Sequence, residues 1–188
     1  MGPLITLRAS KIADAELFYS ITEQTKRPHV LAAGGTWEEE RRREESAEEA
    51  INPSASVIMI GTVEAGILTI ERLPCEFQLQ TLYLLPSFQD LGVGSSLVSS
   101  LQQEAKSRCV PLRLQVLKVN PAKAFYERLG FRIEEETEYF FHMQSNPSTR
   151  TSRNVKRGAL YFPLSSRLFG YLSVSFLVTC DDEAAVRQ

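Results

Sequence analysis

Two stretches of this chain carry residue types at spacings that could do chemistry. The first is Leu84-Leu85-Pro86-Ser87-Phe88-Gln89-Asp90-Leu91-Gly92-Val93-Gly94-Ser95. A strand-like run ends there, a short turn follows, and a helix-like run begins at two glycines. The first turn of a helix leaves backbone N–H groups unpaired and carries the positive end of the helix dipole. Glycine lets an anion approach those groups with no Cβ in the way. Gln89, Asp90, Leu91, Gly92, Val93, Gly94 and Ser95 therefore form a candidate diphosphate cradle, with the Ser95 and Ser96 hydroxyls as further donors. The other reading of the same residues is a glycine turn that packs a helix on a strand. The Gly-Lys-Ser/Thr of a P-loop is missing. So are the third glycine and the later acid of a dinucleotide-binding fingerprint. Both departures argue against ATP and NAD.

The second stretch is Leu117-Lys118-Val119-Asn120-Pro121-Ala122-Lys123-Ala124-Phe125-Tyr126-Glu127-Arg128-Leu129-Gly130-Phe131. Asn120 suits an N-cap and Pro121 the first helical position. Gly130 suits the residue that ends the helix. Phe125 and Leu129, four apart, should face the core. Tyr126 is turned about 100° from Phe125 and can sit at a cleft edge. Simple packing of Tyr126 and simple capping by Asn120 are the alternatives.

The elements that must position these residues follow from pattern. Ile5–Arg8 is a short strand. Lys11–Gln24 is an amphipathic helix that Pro28 ends or breaks. Ala33-Gly34-Gly35 is a joint. Thr36 and Glu39 form a capping box for a second helix reaching Ala50, supported by the pairs Glu38–Arg42 and Glu39–Arg43. Its charge run reads as a solvated face, and Trp37 at its start as a core anchor or a substrate contact. Strands follow at Val57–Gly61, Ala65–Arg72 and Phe77–Leu85. The helix Val93–Ser107 has Val93, Leu97, Val98, Leu101 and Ala105 on one face. Leu112–Leu117 reads as a strand buried on both sides. A helix at Pro121–Leu129 and strands at Phe131–Ile133 and Glu138–Met143 complete the order. The result is an α/β domain with a mixed sheet.

The chain has 188 residues, 43% of them hydrophobic and 23% charged, with a net charge of −2. That balance fits a globular protein and excludes a chain-wide basic footprint for nucleic acid. The charge is unevenly placed: residues 1–144 carry about −5 and residues 145–188 about +3. The acidic part would favour cationic ligands by steering. Residues 145–157 are polar and basic, the composition of a disordered linker. The apolar-rich run Leu168–Cys180 follows, about 13 residues where a spanning helix needs roughly 20, which argues against a membrane anchor. The expected division is one domain at 1–144 and a basic, Ser-rich linker with an apolar, poorly ordered tail at 145–188. Three cysteines and two histidines give no metal-ligand spacing and fit a reduced, cytoplasmic setting. His29 and His142 read as structural or exposed.

Together the two stretches resemble the GNAT superfamily of N-acetyltransferases. The matching features are a β-meander, Gln89-x-x-Gly92-x-Gly94 opening a helix, a strand, then Asn120, Tyr126 and Leu129-Gly130-Phe131. The resemblance spans roughly residues 4–143. It implies a mixed sheet, splayed at its centre and flanked by helices, in which two adjacent parallel strands, Thr81–Leu85 and Leu112–Leu117, part to admit acetyl-CoA. The pantetheine arm would pair with backbone near Leu84 and Leu85 and contact Asn120. The diphosphate would sit on the N–H groups from Gln89 to Ser95. No metal is implied.

The implied reaction moves an acetyl group from acetyl-CoA to a primary amine of a small molecule or a protein. A backbone N–H at the end of the Leu82–Leu85 strand would stabilise the oxyanion, and Tyr126 would act as general acid toward the thiolate. Two features depart from the family pattern. Leu91 stands where a basic residue is usual, beside Asp90. Gln78, Gln80 and Thr81 stand where a glutamate base is usual, leaving Glu71, Glu76, Tyr83 or a water chain. These departures keep a non-catalytic acyl-CoA-binding or interaction module as the alternative. A homodimer is compatible with the sequence.

Overall fold

A seven-stranded sheet carries the molecule, in the order β1-β2-β3-β4-β5-β7-β6. Its strands are β1 (Ile5–Ala9), β2 (Ala55–Ile60), β3 (Val63–Arg72), β4 (Phe77–Leu84), β5 (Leu112–Leu117), β6 (Arg132–Glu136) and β7 (Phe140–Ser145). The helices are α1 (Ala15–Ala32), α2 (Glu39–Ala50), α3 (Val93–Ser107) and α4 (Ala122–Arg128). This computed structural model describes residues 4–32 and 34–146. Of the expected linker and tail, Ser145 closes β7 and Asn146 follows it, while residues 147–188 lie outside the described residues.

Every pairing in the sheet is antiparallel except one: β4 and β5 run parallel, joined through α3. Their rungs are Phe77–Leu112, Gln78–Arg113 and Leu79–Leu114, and they stop there. The cause lies in β4. Opposite β3, Ile70 faces Leu79 while Thr69 faces Thr81, so Gln80 is an extra residue, a β-bulge. A bulge bends its strand and sharpens its twist. Beyond it β4 stays with β3 as far as the Leu84–Gly66 pair, and β5 stays with β7 as far as Leu117–Phe140. Each strand follows its own outer partner, and a gap opens between them.

Two apolar clusters hold the sheet. On one face α3 presents Val93, Leu97, Val98, Leu101 and Ala105 to Leu68, Phe77, Leu112 and Leu114. On the other, Phe18 and Ile21 of α1 and Ala50 of α2 meet Ala55, Val57 and Ile67. Phe18, Phe77 and Leu112 are fully buried, each worth about 1.5–3 kcal/mol relative to exposure.

Local departures from the sequence reading have physical causes. Pro28 lies inside α1, which continues to Ala32. The residues around Pro28 are exposed, so water can serve the one carbonyl its missing N–H leaves free. The Thr36–Glu39 capping box does not form: Glu38 is the N-cap of α2 and has no side-chain cap bond. Glu39 pairs with Arg43 at 3.1 Å as expected, but Glu38 pairs with Arg41 and Arg42 with Glu45. The charge run is not wholly solvated, because Arg42 is only 7% exposed. β5 is buried on one side alone, with Leu112, Leu114 and Val116 inward and Gln115 and Leu117 exposed.

Candidate active site

The gap between β4 and β5 organises the site. Leu85 donates its N–H to the Ala65 carbonyl at 2.9 Å, so the Gly66–Leu84 pair is of the type whose own N–H and C=O point away from each other. Leu84, and by alternation Leu82, therefore aim their backbone groups away from β3 and into the gap. Leu85 does not: its N–H is held by Ala65, and its carbonyl accepts the Phe88 N–H at 2.9 Å. Of the two expected pantetheine partners, Leu84 turns its backbone groups to the gap, whereas both backbone groups of Leu85 are bonded elsewhere. Leu82 also faces the gap. The bulge that makes this possible has only a weak sequence signal, since Gln80 is an ordinary residue for an exposed strand position.

At the mouth of the gap, a 3-10 turn (Pro86–Phe88) leads into α3. Gln89 clasps this turn by donating from Nε2 to the Leu84 carbonyl at 2.8 Å. That bond leaves Leu84 offering chiefly its N–H. Gly92 is the N-cap of α3 with φ of 78°, a left-handed conformation that glycine adopts without strain. Asp90 is also left-handed, with φ of 58°, which aspartate tolerates better than most residues. The first backbone bond of the helix runs from the Ser96 N–H to the Gly92 carbonyl, 3.0 Å. The N–H groups of Val93, Gly94 and Ser95 precede the helical ladder and stand at its positive end.

The two glycines divide the roles that sequence left open. A Cβ on Gly92 would meet nothing within 4 Å, whereas one on Gly94 would lie 3.4 Å from Phe125 Cζ and 3.6 Å from Leu84 Cδ1. Gly92 shapes an open cradle; Gly94 packs α3 against β4 and α4. Asp90 and Leu91 are exposed and Val93 is buried, so the last supplies backbone only. A pyrophosphate fits this arrangement of backbone donors and open space.

Across the gap stands α4. Asn120 accepts the Ala122 N–H at Oδ1, 2.9 Å. It therefore caps the turn that enters α4, with Pro121 at the N-cap position and Ala122 as the first helical residue. Gly130, φ 85°, ends the helix as expected. Tyr126 is half-buried between two rings: Phe125 at 5.0 Å and Phe131 at 5.5 Å, both edge-on. Burial, with a smaller contribution from Tyr83, pushes its phenol well above the usual tyrosine range. It stays protonated at neutral pH, as a proton donor must.

Tyr83 links this side to α1 and α2. Lys26 Nζ lies 4.9 Å from its ring centre. Burial alone would lower the lysine's pKa, but Tyr83 and Glu49 outweigh that and raise it. Glu49 in turn accepts from Thr69 Oγ1 at 2.7 Å. Lys26 and Glu49 were not singled out by sequence, because only the tertiary fold brings α1 and α2 beside β4. Among the candidate bases, Glu76 is held by Arg113 at 2.7 Å, and Glu71 lies opposite Gln78. Both sit at the closed end of the β4–β5 pair. Of the named groups, Tyr83 is the one that Tyr126 feels. His29 is exposed and His142 buried in β7. Among the described residues no three His, Cys, Asp or Glu side chains converge to hold a metal, and no helix is long and apolar enough to cross a membrane.

Residues 53–133 match the family model described as an acetyltransferase (GNAT) domain. No protein of curated function matches the chain. Several solved structures do. PaiA N-acetyltransferase from Thermoplasma acidophilum, solved in complex with coenzyme A, is 21% identical, with 76% of this chain and 99% of that one covered and a TM-score of 0.61. An acetyltransferase from Thermus thermophilus is 20% identical over 78% and 99%, with a TM-score of 0.62. Ard1 from Thermoplasma volcanium is 18% identical over 77% and 99%, with a TM-score of 0.54. At these identities the likeness is one of fold, and it includes the mixed, centrally splayed sheet.

Proposed function

We propose that the chain is an acetyl-CoA-dependent acyltransferase of the GNAT superfamily, which its family-model match and its fold support, and that it acetylates a primary amine of a small molecule or a protein. The observation that carries this reading is the convergence of three features on one gap. These are the β4 backbone freed by the Gln80 bulge, the left-handed Gly92 opening α3, and the protonated phenol of Tyr126.

Acetyl-CoA would supply an acetyl group activated as a thioester. The N–H groups from Gly92 to Ser95 would hold its diphosphate, and the Leu84 N–H its pantetheine arm, with Asn120 fixing the start of α4 nearby. A gap-side N–H of Leu82 or Leu84 would donate to the acyl oxygen as negative charge grows there. Removing one such donor typically slows acyl transfer about 10²–10³-fold. Tyr126 would donate its proton toward the departing sulfur, and the proton lost by the amine would restore it through water. Glu49 and Tyr83 are the groups beside which the amine would lose that proton.

A second reading, an acyl-CoA-binding module without turnover, is favoured by one observation: Asp90 stands exposed beside the cradle and no basic residue follows it. Incubation with acetyl-CoA and an amine panel separates the two. Release of free CoA thiol that depends on the amine supports acetyl transfer. Saturable CoA binding with no release, for a protein shown to be folded, supports the second reading. The domain at 1–144, a cytoplasmic location and an absence of nucleic-acid partners belong to the same proposal.

A further inference from the structure

Side chains of α1, of α2 and of Trp37 just before α2 carry buried hydrogen-bond donors that have no partner among the described residues. Thr22 and Arg42 are each 7% exposed. Thr22 Oγ1, Arg42 Nε and Trp37 Nε1 are all buried with no hydrogen-bond partner among the described residues. Buried polar atoms are nearly always paired, and those that are not call for a missing partner.

These atoms belong to one region. Thr22 and Lys26 are one turn apart on α1, hence on one face. The Arg42 guanidinium lies 5.2 Å from the Trp37 ring centre and is close enough to Lys26 to oppose its charge. Lys26 in turn lies over the ring of Tyr83 on β4. Glu45 takes one nitrogen of Arg42, at 2.7 Å, and leaves Nε facing elsewhere. Arginine, lysine and indole N–H groups are donors without acceptor capacity. Water, which both donates and accepts, satisfies such a set poorly; an acceptor-only anion satisfies it well. A carboxylate matches the planar guanidinium best.

We propose that the amine acceptor carries a carboxylate, held by Arg42, Lys26 and Trp37 Nε1 behind Tyr83, with its amino group directed past Glu49 toward the gap. The inference rests on the acetyl-transfer reading. It also runs against the acidic character of the domain as a whole, which would by itself favour purely cationic acceptors. Charged groups in contact with a bound carboxylate would outweigh distant, screened charge.

The test uses the full chain and matched pairs of amines: amino acids, their primary amides, the corresponding aminophosphonates, and a polyamine. CoA thiol release is followed with acetyl-CoA saturating. The expected result is at least a tenfold lower KM for the carboxylates than for the amides or the polyamine. Arg42→Gln and Lys26→Met should erase that preference by raising the carboxylate KM, with kcat changed less than threefold and CoA binding unchanged. Trp37→Phe removes only the N–H and should raise the same KM more modestly, which serves if Arg42→Gln fails to fold. Equal KM values for carboxylates and amides would overturn the inference, as would a preference for the phosphonates or the polyamine. If no amine turns over, the acetyl-transfer reading fails. Calorimetric titration of the CoA-loaded protein with an amino acid then decides: saturable binding lost in Lys26→Met upholds the pocket, and no binding overturns it.

Discussion

Leu79 on β4 lies opposite Leu114 on β5, and this is the last rung the two parallel strands share. The next residue of β4, Gln80, is a bulge against β3. One inserted residue thus ends a pairing on one edge of the strand by bending it on the other. The gap between β4 and β5 opens at that register shift.

Tyr126→Phe should lower kcat by about 10²–10⁴-fold, the usual worth of a positioned proton donor. The ring contacts with Phe125 and Phe131 survive this change, so thermal stability and CoA affinity should stay near wild type. Because the phenol titrates well above the ordinary range, its ionisation should not limit the rate near neutral pH. A steady-state pH–rate profile of both proteins checks this.

Gly92→Ala should destabilise the protein by about 1–2 kcal/mol, the strain of a left-handed non-glycine residue. No neighbour would be struck, so the loss should come from backbone conformation alone. Gly94→Ala should cost less, since its Cβ meets Phe125 Cζ at 3.4 Å, a contact the ring can relieve, and alanine favours the helix. Urea denaturation of both variants measures the difference, and only Gly92→Ala should markedly weaken CoA binding.

Gln89→Ala removes the clasp onto the Leu84 carbonyl. The bond is exposed, so its loss should cost about 0.5–1.5 kcal/mol at most. Its larger effect should be on the KM for acetyl-CoA, because the turn it holds sets the position of the α3 N–H groups.

Asp14 is held by Arg8 through two bonds, at 2.9 and 3.2 Å, and by the Lys11 N–H. Hydrogen bonding to Arg8, against the opposing effect of burial, keeps its carboxyl below the ordinary range. A carboxylate whose pKa is lower folded than unfolded stabilises fully above its unfolded value, about 3.9, and loses that contribution as pH falls through the folded value. Stability should therefore drop below about pH 4, and Asp14→Asn should flatten that part of the curve while lowering the plateau above it.

Parts of this account were legible in the sequence because one local rule governed them. The helix at Val93–Ser107 and the strand at Leu112–Leu117 match the structure to the residue. A glycine entry with period-3.6 burial defines the first, and a short β-branched and leucine run the second. Where tertiary contacts decided, the pattern misled. Arg42 sits in a run of charges that reads as solvated, yet Trp37 and α1 cover it. Pro28 reads as a helix end, but one lost bond on an exposed turn is tolerated within an otherwise packed helix. In the site, Gly92, Gln89 and Tyr126 were visible from spacing. The Gln80 bulge, the turning of Leu82 and Leu84 but not Leu85 toward the gap, and the Lys26–Tyr83 contact depend on register and on packing between distant segments, which no local pattern encodes.

The most direct test of the central claim is release of free CoA thiol from acetyl-CoA across an amine panel, with wild type and Tyr126→Phe compared at matched fold and CoA occupancy. The account predicts amine-dependent release by the wild type that falls at least a hundredfold in the variant, within the range expected for losing a proton donor. Amine-dependent release that is the same in both proteins, or no release from a folded, CoA-binding wild type, would contradict it.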